Sequence, residues 1–122
     1  MSNNYRNLLV WQKAKTLAIN VYRVTEQFPR SEIFGLTNQM RRAGVSVPSN
    51  IAEGQGRGTR PDFSKYLCIA RGSLQELETQ IDIAMELKLG KAEELAKLHE
   101  DCFQILGLLN RLLKAIESKA RA

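Results

Sequence analysis

Hydrophobic residues recur at spacings of three and four along most of the chain, the period at which side chains stack on one face of an α-helix. Val10, Ala14, Leu17, Val21 and Val24 mark a first helix over about 8–27, with Asn7 available to cap its start. Phe28-Pro29 ends it, because the residue before a proline is pushed out of the helical region. A second helix is predicted over about 31–55, capped by the Ser31 hydroxyl and burying Leu36, Met40, Ala43, Val47 and Ile51. The glycines of the Gly54–Gly58 stretch then read as a helix end and tight turn, since glycine alone takes positive φ freely.

Thr59 is placed to cap a third helix over about 60–89, with Pro61 and Asp62 in its first turn. Its stripe is Phe63, Leu67, Ala70, Leu74, Leu77, Ile81 and Ala84, and Gly90 is the expected stop. A fourth helix over about 91–118 carries Leu95, Leu98, Cys102, Ile105, Leu109, Leu112 and Ile116. No stretch alternates with period two for long enough to make a strand. Four amphipathic helices joined by short breaks predict an all-α, up-down-up-down antiparallel bundle in a single domain, 1–122.

Helices three and four are apolar beyond that seam, at Tyr66, Ile69, Ile83, Phe103, Leu106 and Leu113. Self-association is the economical reason for the surplus, and wider packing within one bundle is the alternative. The composition, 43% hydrophobic and 25% charged, is that of a globular domain. No apolar run approaches the roughly 20 residues of a membrane helix, and the first residues lack the apolar core of a signal peptide. With two cysteines, Cys68 and Cys102, the expected location is the cytoplasm, with both thiols reduced.

The charge of +5 is uneven: Met1 to Arg71 holds 11 basic and 4 acidic residues, and Gly72 to Ala122 holds 7 and 9. A basic face attracts phosphate polymers by releasing their counterions, whatever the base sequence. Catalytic candidates are poor. His99, the single histidine, has only Glu100 and Asp101 beside it and reads as part of a solvated face. Glu76, Glu78, Asp82 and Glu86 have no histidine to complete a metal set, and no zinc or di-iron spacing occurs. Both cysteines fall in apolar helical stretches without a nearby base. The glycine stretch follows a helix and lacks the GK[ST] ending of a phosphate loop. The expectation is a non-enzyme with no cofactor and no metal.

The least generic stretch is FGLTNQMRRAGVSVPSNIAEGQGRGTR, residues 34–60. Pro48 within the second helix removes the hydrogen bond to the Gly44 carbonyl and is expected to bend it. Gln39, Ser46, Asn50 and Glu53 fall on one flank beside the apolar stripe, placed to satisfy the freed carbonyl or to bond a neighbouring helix. Arg41 and Arg42 are expected to point away from them, towards solvent or a partner. With Arg57, Arg60 and Lys65 they form a candidate basic patch around the second-to-third helix junction, suited to phosphate. The competing reading gives these polar residues, Gln39, Asn50 and Glu53 first, to assembly between subunits.

The segments LLVWQKA, FPRSEIFGLTNQMRRAGVSVPSNIAEG and SLQELETQIDIA resemble the bacterial four-helix bundle proteins encoded in intervening sequences of large-subunit ribosomal RNA genes. The resemblance runs from about Leu8 to Leu87, with the fourth helix matching in pattern only. It implies a cytoplasmic homo-oligomer, a ring of five bundles, with no established enzymatic activity. The fold is also similar to that of the accessory variability proteins of diversity-generating retroelements, which bind nucleic acid and a reverse transcriptase. RNA or DNA and a protein such as a reverse transcriptase are therefore the partners this resemblance suggests. The leading expectation is nucleic-acid binding through the basic surface, and the alternative is a scaffold or assembly factor for another protein.

Overall fold

A computed structural model describes residues 4–121, with side chains through Lys119. Four long helices follow one another: α1 (Leu9–Thr25), α2 (Leu36–Gly56), α3 (Arg60–Leu87) and α4 (Ala92–Arg121). Each packs against the helix before and after it, and α1 closes the ring against α4. This is the up-down-up-down bundle, with the α2–α3 pair packed most extensively. The core stripes read from the sequence are buried except Leu36, Phe63 and Leu112, which are half-buried. Each fully buried Leu or Ile among them contributes about 1.5–3 kcal/mol of transfer free energy.

The helix ends differ from the sequence reading, each for a local reason. Asn7 does not cap α1; a short 3-10 turn, Tyr5–Asn7, precedes it, and Asn4 caps that turn by accepting from the Arg6 amide at 2.9 Å. Ser31 does not cap α2, because it lies within a second 3-10 turn, Arg30–Glu32. The helix starts five residues later, at Leu36, whose amide donates to the Glu32 carboxylate at 3.1 Å.

At its other end α2 runs unbroken through Pro48, Gly54 and Gly56, so two of the three glycines expected in the turn are helical. Only Gly58, at φ 82°, takes the left-handed conformation. Thr59 does cap α3, its hydroxyl accepting from the Asp62 amide at 3.3 Å. Gly90 is not the stop of α3. Lys88 ends that helix at φ 56°, and the Leu89 amide returns to the Ala84 carbonyl at 3.1 Å. Gly90 instead leaves room for Phe28: a Cβ there would lie 2.9 Å from the ring.

The surplus apolar residues divide. Leu106 and Leu113 pack against the core and Tyr66 is half-buried, which is the wider-packing alternative. Ile69, Ile83 and Phe103 are 42%, 44% and 69% exposed on α3 and α4.

Candidate nucleic-acid interface

The five basic residues singled out in the sequence do not make one patch around the α2–α3 junction. Arg57, Arg60 and Lys65 lie there, the first just past the end of α2 and the other two in the first turns of α3. Arg41 and Arg42 sit on the first half of α2, about 23 Å away at the helical rise. Nor do those two act alike. Arg42 is exposed, whereas Arg41 turns to the end of α1, where its Nε donates to Thr25 Oγ1 at 2.9 Å. Its Nη2 lies 3.4 Å from the Tyr22 carbonyl and its guanidinium sits 4.6 Å from the Tyr22 ring centroid. Arg41 thus closes the carbonyl end of α1, a favourable place for a cation.

At the junction, Arg57 Nε donates to Glu53 at 2.9 Å and Nη2 donates to the Tyr66 hydroxyl at 2.8 Å. The Glu53 hydrogen bond, then Tyr66, hold the guanidinium pKa above its ordinary value. Lys65 Nζ lies over the same ring at 5.8 Å. Gly54 makes this arrangement possible, because a Cβ there would lie 2.6 Å from Tyr66 Cβ.

Glu53 therefore has its partner within the chain, and so do Ser46 and Asn50. The Ser46 hydroxyl meets the Ser73 hydroxyl of α3 at 2.8 Å, and Asn50 Nδ2 donates to the Ser46 carbonyl and hydroxyl at 2.8 and 2.9 Å. The neighbouring-helix bond expected of this flank exists. Asn50, however, serves the Ser46 carbonyl and not the Gly44 carbonyl, to which Pro48 has no N–H to donate. Gln39 is exposed on the same flank.

Charge becomes informative once placed on the bundle. Helix directions alternate, so the start of α1, the α2–α3 junction and the end of α4 share one end. Divided at the helix midpoints, that end comprises residues 4–16, 47–73 and 107–119, with ten basic residues against three acidic. The opposite end, 17–46 and 74–106, has seven against ten. Sequence reasoning missed Arg111, Lys114 and Lys119 in the first group, because the second half of the chain is mildly acidic as a whole. Arg60 and Arg71 line a shallow groove between α3 and α4 with Pro61, Ser64, Cys68 and Leu113.

A family model described as 23S rRNA-intervening sequence protein matches residues 6–111. The chain belongs to that family. The fold of this 23S rRNA-intervening sequence protein also matches a crystal structure from Bacteroides thetaiotaomicron, a protein of unknown function assigned to the S23 ribosomal protein family. The two are 24% identical with a TM-score of 0.78, over 87% of this chain and 99% of the other. At that identity the likeness speaks for the fold alone. No curated protein matches the chain.

The remaining chemical groups of this family member are unremarkable. His99 Nε2 lies 3.4 Å from Asp82 Oδ1 across α3 and α4. Among the described residues, no group of three or more His, Cys, Asp and Glu could hold a metal, and no helix is long and apolar enough to cross a membrane. Burial, then the charges of Glu78 and Asp101, push the Cys102 thiol up to about 12, so it stays protonated at neutral pH. Cys68 is exposed. In the native protein one thiol, Cys68, should react with a thiol reagent at neutral pH, and the second only after denaturation. Two fast-reacting thiols in the native state would contradict the buried place of Cys102.

Proposed function

We propose that this protein is a non-enzymatic, homo-oligomeric bundle of the cytoplasm that binds RNA, or another polynucleotide, through backbone phosphates at its basic end. The observation that carries this reading is the segregation of charge along the bundle axis, with Arg57, Arg60 and Lys65 at the centre of the positive end. Arginine presents donors in a fork that fits phosphate oxygens, and subunits repeated around a ring would multiply the contacts. The exposed Ile69, Ile83 and Phe103 supply the apolar surface for self-association, as a ring of five in the arrangement the sequence resemblance suggests.

Titration of labelled single-stranded and structured RNA at two salt concentrations tests the phosphate mechanism. With three phosphate contacts per subunit, affinity should fall about 20-fold for a fourfold rise in salt. No binding at low salt, or affinity indifferent to salt, would overturn it. Light scattering on the same samples should report an oligomer, and a monomer at micromolar concentration would remove the assembly from the reading.

The second reading, a scaffold for a partner protein such as a reverse transcriptase, has Phe34 in its favour. This ring is 92% exposed in the α1–α2 connection, at the end away from the basic cluster. Co-purification of a protein from the native host that survives nuclease treatment would favour the scaffold.

A further inference from the structure

The chain has three tyrosines and one tryptophan, and every one of these rings has a Lys or Arg over it. Arg6 lies 4.9 Å from the Tyr5 centroid and Lys15 5.5 Å from Trp11; Arg41 lies 4.6 Å from Tyr22 and Arg57 5.1 Å from Tyr66. Tyr5 and Trp11 also meet edge to face at 5.0 Å. A single pair of this kind is common at an exposed site. Four of them on one side of a small bundle are a pattern.

All four flank the outer face of α2. The contact of Arg41 with Tyr22, and that of Gly44 with Val21 and Ala18, set the antiparallel register between α1 and α2. The same register puts Lys15 level with Pro48 and Trp11 level with Ala52. On the other side of α2, Tyr66 of α3 packs at Gly54. Small residues, Ser49, Ala52 and Gly56, lie between these flanks. One shallow depression is lined by Ser49, Ala52, Gly56 and the Glu53–Arg57 ion pair, and a second by Tyr22, Arg41, Arg42 and Val45. The two lie roughly 16 Å apart along the helix.

Cations that track a backbone, interleaved with rings on which bases can stack, are the chemistry that holds single-stranded nucleic acid. A duplex offers phosphates but keeps its bases stacked inside. We propose that the outer face of α2, edged by Trp11, Tyr22 and Tyr66, is a track for a single-stranded polynucleotide. Phosphates sit on Lys15, Arg42 and Arg57, and bases stack on the rings, which the guanidinium planes extend as platforms. This rests on the polynucleotide reading above and adds to it the strand state and the role of the bases. The exposed apolar residues assigned to self-association lie on α3 and α4, which leaves this face open.

Trp11 is the only tryptophan and reports from within the track. Wild-type protein is titrated with oligo(U) and oligo(dT) of about 15 nucleotides, with a duplex of the same length, and with heparin as a polyanion without bases. Single strands should quench Trp11 emission, while duplex and heparin should bind with little change in it. A difference between oligo(U) and oligo(dT) tells RNA from DNA as the preferred strand. Tyr22 is 44% exposed, so Tyr22→Leu keeps the fold and removes one stacking surface. It should weaken single-strand binding about tenfold and leave heparin affinity unchanged.

Single strands that bind by anisotropy without moving Trp11 emission would overturn the track and leave the phosphate reading standing. Equal losses of oligonucleotide and heparin affinity in Tyr22→Leu would do the same. No binding of any polyanion at low salt would overturn both.

Discussion

Gly54→Val should destabilise the bundle by about 3 kcal/mol, close to the upper range for forcing bulk into a packed site. The cause is geometric. Even the first carbon of a side chain at position 54 would lie 2.6 Å from Tyr66 Cβ and 3.3 Å from the Phe63 carbonyl oxygen. Neither is the free end of a flexible side chain, so α2 and α3 would have to separate along their shared surface. Alanine at the same position meets the same first contact, partly offset by its better helix propensity of about 1 kcal/mol, and should cost about 1–2 kcal/mol. Gly72 is the control, since nothing lies within 4 Å of the position its Cβ would take. Gly72→Ala should gain up to about 1 kcal/mol. Urea denaturation of the three variants measures the differences directly. A Gly54→Val protein as stable as wild type would mean that α2 and α3 do not approach this closely.

Neutralising the junction, as Arg57→Gln with Arg60→Gln and Lys65→Gln, should lower polynucleotide affinity about 100-fold at low salt. The salt dependence should flatten at the same time, by about two in the logarithmic slope for a single strand. Glutamine is preferred to glutamate at position 57, because Glu53 one turn earlier would otherwise face a like charge. Arg42→Gln alone tests the other part of α2 cleanly. Arg41 is a poor choice, since removing it also strips the Thr25 and Tyr22 contacts at the end of α1. Unchanged affinity in the triple variant, with wild-type helix content, would take the junction out of the binding surface.

These two positions also mark where the sequence was legible and where it was not. The bundle follows from period alone, because Leu67, Leu74 and Ile81 must share a face on any α-helix. Gly54 was read as the start of a turn, since glycines near a helix end commonly serve that purpose. Its real demand is space for Tyr66, a contact between residues twelve apart that no local pattern displays. Ser31 looked like a cap because its hydroxyl fits the role, but the side chain of Glu32 takes that place after an unforeseen 3-10 turn.

The candidate site fared similarly. Residue types on α2 were visible, yet adjacent helical positions point about 100° apart. Arg41 and Arg42 therefore part company, one to the end of α1 and one to the surface. Arg111, Lys114 and Lys119 join the basic end only because alternating helix directions return the second half of the chain to it.

The lengthwise charge difference has a consequence that precedes any contact. A bundle positive at one end and negative at the other is an electric dipole, and a distant polyanion exerts a torque on it. The molecule is turned, junction first, while still diffusing, so fewer encounters are lost to wrong orientations. This alignment fades within a Debye length of about 10 Å at moderate salt. Added salt should then slow arrival as well as hasten departure, and rapid-mixing measurements can separate the two.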